Sequence, residues 1–110
     1  MYPELVNLTA DPAELDHWFH ANWDEHFRII AAIKQQRGVI LNILPIQSAS
    51  ADNPDNWLFA HQTLHDDMNQ VLGIAGNDLL DVDFKNEDQR NAWAFLHMAE
   101  HVKATAILGI

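Results

Sequence analysis

The sequence contains no cysteine among its 110 residues. Disulfide bonds, thiolate zinc sites and cysteine nucleophiles are therefore excluded, whereas the redox compartment stays open. The chain also lacks the G-x-S-x-G, G-x-G-x-x-G and phosphate-loop motifs that introduce the common nucleophilic and nucleotide-binding sites. Any chemistry must rest on other side chains.

Positive charge is scarce, since 6 Lys and Arg residues face 16 Asp and Glu residues and the net charge is −10. Such a charge repels phosphate backbones and anionic membrane surfaces, so we expect neither direct nucleic-acid binding nor membrane binding. The excess of negative charge is also compatible with docking on a basic partner or with imitation of nucleic acid. We favour the simpler explanation that the charge keeps the protein soluble.

Long apolar runs are absent as well. No stretch approaches the roughly 20 apolar residues that a membrane-spanning helix needs. The segment Met1–Glu4 lacks the basic-then-apolar pattern of a signal peptide. We therefore expect a soluble protein that is made in the cytoplasm.

Helix start and stop signals predict three helices in one domain. The first should run over about 12–37, from Asp11 and Pro12 to Gly38. The second should cover about 54–72 and end at Gly73, and the third should cover about 87–108 behind the cap Asn86. With 48% hydrophobic residues the chain can bury one core. The predicted fold is an all-α three-helix bundle spanning residues 1–110.

The connecting segments carry their own predictions. Residues 1–10 are expected to form an N-terminal arm that packs on the domain or on a neighbour. Val39–Leu44 is a short apolar run that fits a buried strand or a docking segment. Between Gly73 and Lys85, apolar residues should hold a long ordered loop against the bundle. These residues are Leu79, Leu80, Val82 and Phe84.

The third predicted helix is apolar on two sides, which leaves little of its circumference polar. One side carries Trp93, Leu96, Ala104, Ile107 and Leu108, and the other carries Phe95, Met98, Ala99, Val102 and Ala106. Two short neighbours cannot cover both sides easily, so this helix is expected to be central or to form a subunit interface. We expect contacts with other proteins at Phe95, Met98 and Val102, and at Phe59 on the wet side of the second helix.

Histidines give the sharpest chemical signal. His61 and His65 on the second helix, and His97 and His101 on the third, are each spaced i, i+4, so each pair projects from one side of its helix. His26 lies in the apolar stripe of the first helix. If the second and third helices are antiparallel, His61 and His97 lie at similar heights.

Two interpretations of these histidines stay open. One is a Zn, Fe or Mn site with imidazole and carboxylate ligands, drawn from His26, His61, His65, His97, Glu100 and His101. The other is a buried polar network that fixes helix register without metal. We favour the network, and therefore no cofactor, because paired helical histidines are common and the ligand signature is incomplete.

The string from His97 to His101 also matches the H-x-x-E-H motif of inverted zinc peptidases. Few residues follow His101, too few for a separate downstream helix with a third ligand. Peptidase activity is therefore not expected.

The C-terminal half, residues 57–110, resembles a family. The residues that carry the resemblance are Trp57, His61, His65, Asp66, Asn69, Leu72, Gly73, Gly76, Asn77, Asp78, Leu79, Val82, Asp83, Phe84, Gln89, Trp93, Leu96, His97, Glu100, His101, Leu108, Gly109 and Ile110. This pattern is similar to small uncharacterised proteins encoded among the virion genes of tailed bacteriophages. The resemblance implies a virion or assembly component and supplies no catalytic residues.

Together these observations predict a non-enzymatic bacteriophage structural or assembly protein. It should bind other virion proteins through apolar helix faces, form homo-oligomers, and reside in the virion and, during assembly, in the host cytoplasm. One alternative is a metal-binding helical protein with a histidine-rich site between helices. Another is an acidic inhibitor of a host nucleic-acid-binding protein.

Overall fold

The computed structural model describes residues 12–42, 54–77, 79–80, 82–83 and 85–110, with backbone alone for residues 12–16 and 54–56. Within these ranges the chain forms three helices: α1 (Pro12–Arg37), α2 (Pro54–Leu72) and α3 (Glu87–Leu108). The described ranges contain no β-strand. The predicted all-α three-helix fold is confirmed, and each helix lies where the start and stop signals place it.

Local signals explain the helix ends. At Gly38 (φ 69°) and Gly73 (φ 70°) the backbone is left-handed, a conformation that glycine adopts without the steric penalty of a Cβ atom. The Gly38 N–H donates to the carbonyl of Lys34 and closes the last turn of α1. At the start of α3, the Asn86 side chain accepts a hydrogen bond from the Gln89 backbone N–H at 3.1 Å.

Helix α3 is the central element, because both α1 and α2 pack on it. Three tryptophans, one from each helix, form the aromatic part of the core. The Trp18 ring lies 6.1 Å from the Trp57 ring and 5.6 Å from the Trp93 ring. Aliphatic side chains including Ile29, Ile33, Leu64, Met68 and Leu108 complete the core. Burial of these apolar side chains stabilises the helices far more than helix propensity does.

The connection between α2 and α3 is anchored to the bundle at Leu79, which is fully buried. The Leu79 N–H donates to the Gln62 side chain at 2.8 Å, and the Leu79 carbonyl accepts from the Trp93 indole at 2.8 Å. Val82 is half-buried and Leu80 is 42% exposed. Phe84 lies outside the described residues.

Other predicted contact segments are described in part. The N-terminal arm, residues 1–10, lies outside the described residues, as do positions 43 and 44 of the Val39–Leu44 run. The described part of that run is irregular, and Ile40 is 76% exposed. The second apolar side of α3 is open at Phe95 and Val102, which are 74% and 43% exposed. Among the described helices, none combines the length and the apolar character required to cross a bilayer.

Candidate metal centre

Five histidines from three helices converge in the core. Helix α1 contributes His26, α2 contributes His61 and His65, and α3 contributes His97 and His101. Each is at most 1% exposed. The i, i+4 spacing places the members of each pair one helical turn apart, so each of α2 and α3 presents two imidazoles to the same interior space.

The Nε2 atoms of these histidines lie close together. His26 Nε2 is 2.8 Å from His65 Nε2 and 3.1 Å from His101 Nε2. His97 Nε2 is 3.0 Å from His101 Nε2 and 3.1 Å from His61 Nε2. Four of the histidines, His26, His65, His97 and His101, each offer one nitrogen within 4.8 Å of the others. His61 adjoins this group through His97.

Hydrogen bonding alone accounts poorly for this arrangement. The contacts join five Nε2 atoms in a row, yet each Nε2 atom offers either one hydrogen or one lone pair. At most two of the four contacts can therefore be well-formed hydrogen bonds. The row is also unsuited to proton relay. In a relay through imidazole, the proton arrives at one ring nitrogen and a proton leaves from the other. Here both neighbours meet the same nitrogen.

A metal ion fits the same nitrogens. With Zn–N distances of about 2.0–2.1 Å, tetrahedral geometry separates neighbouring ligand nitrogens by about 3.3 Å. The three neighbouring separations of 2.8–3.1 Å along the row are close to that spacing, and the widest separation among the four nitrogens, within 4.8 Å, would shorten toward it. The lone pairs of these four histidines would then point at one cation, and the three contacts among them would require no shared hydrogen.

The electrostatic environment keeps His26, His61, His97 and His101 neutral, which is the form that binds metal. Burial, reinforced by repulsion from neighbouring histidines, lowers the pKa of His26, His61 and His97 well below the usual value. Burial also lowers the pKa of His101 to about 4, although Glu25 acts in the opposite direction. The lone pairs are therefore available at neutral pH without displacing a proton.

Glu100 lies behind His65 and holds that ring in one orientation. Its Oε1 atom is 3.2 Å from His65 Nδ1 and accepts a 2.6 Å hydrogen bond from the Asn69 side chain. Its Oε2 atom accepts from the backbone and the side chain of Asn77 at 3.1 and 3.3 Å. Burial opposes ionisation, but these hydrogen bonds lower the pKa of Glu100 to about 2. A carboxylate at Nδ1 places the proton there and leaves Nε2 as a metal-binding lone pair.

The contacts of Glu100 differ from those of the glutamate in the H-x-x-E-H motif. In that motif the glutamate activates water beside the metal, whereas both oxygens of Glu100 accept hydrogen bonds from His65, Asn69 and Asn77. Glu100 therefore orients a histidine from behind. It was predicted as a possible ligand, and its place in the structure is on the Nδ1 side of His65.

Glu25 is the functional residue that sequence analysis missed. It is fully buried, its Oε1 atom lies 3.8 Å from His101 Nδ1, and neither of its oxygens accepts a hydrogen bond. Burial acts to raise the pKa of Glu25, but interaction with His101, together with the charge of Arg28, acts in the opposite direction and the pKa is lowered. A signal was present, because Glu25 follows Trp18 by seven residues and precedes Ile29 by four, on the buried face of α1.

Aromatic rings close one side of the cluster. The Trp57 ring stacks on the His61 ring at 4.5 Å, and the Trp93 ring stacks on the His97 ring at 4.9 Å. Trp18 approaches His97 from the first helix, with ring centroids 5.5 Å apart. The two stacked contacts fix the tilt of His61 and His97, and the three indoles exclude water from that side.

Three of the four predicted contact residues are exposed to solvent, unlike the residues of the histidine cluster. Phe95 is 74% exposed, Phe59 is 69% exposed and Val102 is 43% exposed. Met98 is only 8% exposed and belongs to the core. Surface contacts on α3 are therefore available to Phe95 and Val102, while Met98 contributes to packing inside the chain.

Comparison with known proteins supplies no relative. No protein-family model, no curated protein and no solved structure matches this chain.

Proposed function

We propose that this protein binds one transition-metal ion between its three helices. The observation that carries the proposal is the convergence of nitrogens from His26, His65, His97 and His101 within 4.8 Å. Four buried imidazoles meet the need for three or more donors, and Glu100 at His65 Nδ1 supplies the orienting partner that metal-bound histidines usually have.

The donor set favours zinc or ferrous iron. Imidazole nitrogen suits Zn, Fe, Cu and Ni, whereas Mn prefers carboxylate and other oxygen ligands. The nearest carboxylates, Glu25 and Glu100, face Nδ1 atoms on the outer side of the imidazoles. Manganese is therefore the least suited of the three metals considered from the sequence.

Burial favours a structural ion over a catalytic one. A catalytic zinc site keeps one position open to water or substrate, whereas structural sites are closed by protein ligands. Each of the five imidazoles is at most 1% exposed, and Trp57 and Trp93 lie against the cluster. The proposed role is non-enzymatic: the ion joins α1, α2 and α3 and stabilises their packing.

Native mass spectrometry of untagged protein, purified without chelator and supplied with Zn²⁺, tests this proposal. We expect one ion per chain in the wild type and loss of that ion in the variants His26→Gln and His97→Gln. His20→Gln is the matched control, since His20 is an exposed histidine on the same helix as His26. Circular dichroism would verify that each variant folds. A metal-free wild type, or equal metal content in His26→Gln and His20→Gln, would contradict the proposal.

A second proposed function is structural, as a bacteriophage virion or assembly protein that binds other virion proteins or further copies of itself. It is supported by the exposed apolar side chains of Phe95 and Val102, which lie two turns apart on one side of α3. The resemblance of residues 57–110 to phage virion-cluster proteins favours the same role. A metal-stabilised helical core is compatible with such a protein. Pull-down of phage structural proteins by the wild type, reduced in Phe95→Asp, would support this role, and equal recovery by both would oppose it.

A further inference from the structure

Two carboxylates are buried beside the imidazole cluster, and each comes from a different helix. Glu25 on α1 is fully buried and Glu100 on α3 is 2% exposed. In the described part of the chain, the ion-pair contacts of both are made with histidine Nδ1 atoms, those of His101 and His65. An acidic side chain at this depth is rare unless its charge is compensated.

The compensation is incomplete within the protein. Glu100 accepts hydrogen bonds from His65, Asn69 and Asn77, and the two asparagines are uncharged donors. Glu25 accepts no hydrogen bond, and its ion-pair contact is with His101 Nδ1, 3.8 Å from its Oε1 atom. This distance exceeds hydrogen-bond length and shortens if His101 shifts by about 1 Å toward it. Two carboxylates from different helices thus lie around the imidazole cluster.

Protonated histidines would be poor partners for these charges. The Nε2 atoms of His26, His97 and His101 are 3.0–3.1 Å apart along the row. Two imidazolium ions in that row would repel each other strongly in an environment from which water is excluded. A cation placed among the Nε2 atoms, by contrast, binds the lone pairs and lies on the far side of His65 and His101 from Glu100 and Glu25.

We propose that Glu25 and Glu100 match the charge of the bound ion and make the site selective for a divalent cation. Neutral imidazoles contribute no charge, so one divalent cation and the two carboxylates leave the buried assembly electrically neutral. Glu25 acts through His101 and Glu100 acts through His65, so both are positioning residues and the imidazoles remain the ligands. This inference rests on the proposed metal-binding function.

Charge selectivity separates this role from a merely structural one. The Coulomb energy between a carboxylate and a divalent ion is twice that with a monovalent ion at the same place. Removing one carboxylate should therefore weaken Zn²⁺ binding about 10- to 100-fold, the usual effect of losing an outer-shell partner. The same change should weaken Cu⁺ binding only about 3- to 10-fold. A general loosening of the fold would weaken both ions by the same factor.

The experiment measures Zn²⁺ and anaerobic Cu⁺ affinities by competition with chromophoric chelators, for the wild type, Glu25→Gln and Glu100→Gln. Glu25→Gln is the primary variant, because Glu25 accepts no hydrogen bond that glutamine would break. The control is Asp24→Asn, which removes the same formal charge from an exposed neighbour on α1. We expect the Zn²⁺-to-Cu⁺ affinity ratio to fall about 3- to 10-fold in both glutamine variants and to stay at the wild-type value in Asp24→Asn.

Failure of this inference is distinguishable from failure of the proposed function. A wild type that takes up Zn²⁺, together with glutamine variants whose affinity ratio is unchanged, overturns charge matching and leaves metal binding in place. A wild type that takes up neither ion overturns the proposed function and this inference together.

Discussion

The Nε2 atom of His26 lies 2.8 Å from the Nε2 atom of His65, although 39 positions separate the two residues in the sequence. Helices α1 and α2 each pack mainly on α3, so this contact joins the two outer helices directly. His101 of α3 reaches the same nitrogen of His26 at 3.1 Å. An ion among these atoms would connect all three helices at one point.

Metal should stabilise the folded protein measurably. An ion that binds the native state alone, at a free concentration 100 times its Kd, adds about 2.7 kcal/mol to the free energy of unfolding. For a domain of this size that corresponds to a rise in Tm of about 10 °C. Thermal melts followed by circular dichroism, with Zn²⁺ and then with excess chelator, check this result. Identical melting curves in both conditions would show that no ion joins the helices.

Tryptophan fluorescence should report ion binding. Trp57 stacks on His61 at 4.5 Å and Trp93 stacks on His97 at 4.9 Å, so an open-shell ion at the cluster lies close to both indoles. We expect Co²⁺ or Cu²⁺ to quench the emission at one equivalent, and Zn²⁺ to leave its intensity largely unchanged.

Single substitutions assign that quenching to particular indoles. Trp57→Phe and Trp93→Phe should each remove part of the quenched signal. The comparison variant Trp23→Phe should have the smaller effect on the quenched signal, because the Trp23 ring stacks on Phe27 and on none of the five clustered histidines. Quenching that is unsaturable, or that is lost in Trp23→Phe alone, would place the ion elsewhere.

Gly76 should prove important for the metal site although it contributes no side chain. A Cβ atom at this position would lie 2.6 Å from Asn69 Nδ2, which itself donates to Glu100 Oε1 at 2.6 Å. The substitution Gly76→Ala therefore pushes Asn69 away from Glu100 and disturbs the support of His65. We expect a loss of about 1–3 kcal/mol of stability, typical of overpacking, and weaker Zn²⁺ binding.

Gly73→Ala is the matched control for that variant. Gly73 has a left-handed backbone (φ 70°), and open space surrounds the position where its Cβ atom would lie. Alanine there should cost about 1–2 kcal/mol of stability through backbone strain, while leaving Zn²⁺ affinity unchanged. Comparable Zn²⁺ affinities in the two variants, measured by chelator competition, would rule out coupling between the α2–α3 connection and the cluster.

Local sequence signals were sufficient to predict the helix bounds but insufficient to predict the geometry of the histidine cluster. Caps and stops such as Asn86 and Gly73 act within one turn, so the helix bounds could be predicted without knowledge of packing. The i, i+4 spacing likewise showed which histidines share a helix face. It could not show that nitrogens from three helices converge, because that depends on how the helices are rotated and how deep each ring lies.

The two carboxylates illustrate this difference. Glu100 was considered because it stands beside His101 in sequence, yet its oxygens face His65, Asn69 and Asn77. Glu25 was overlooked because acidic residues are mostly exposed and the charge count made solubility the simple explanation. Its position on the apolar face of α1 was the better guide, since helical periodicity places a residue on the buried side whatever its polarity.

The exposed side of α3 gives a prediction that is independent of the metal. Phe95 is 74% exposed and Val102, two turns later, is 43% exposed, so an acidic group at position 95 should disrupt contact with another protein while leaving the core intact. We expect Phe95→Asp to lower the mass of any oligomer measured by light scattering and to change stability by no more than about 0.5 kcal/mol, as is usual for surface substitutions. Gln70→Asp is the control, because it adds the same charge at an exposed position on α2. If the wild type is already monomeric and Phe95→Asp has the same mass, self-association through this side of α3 is ruled out, and the apolar surface must serve a different protein or none.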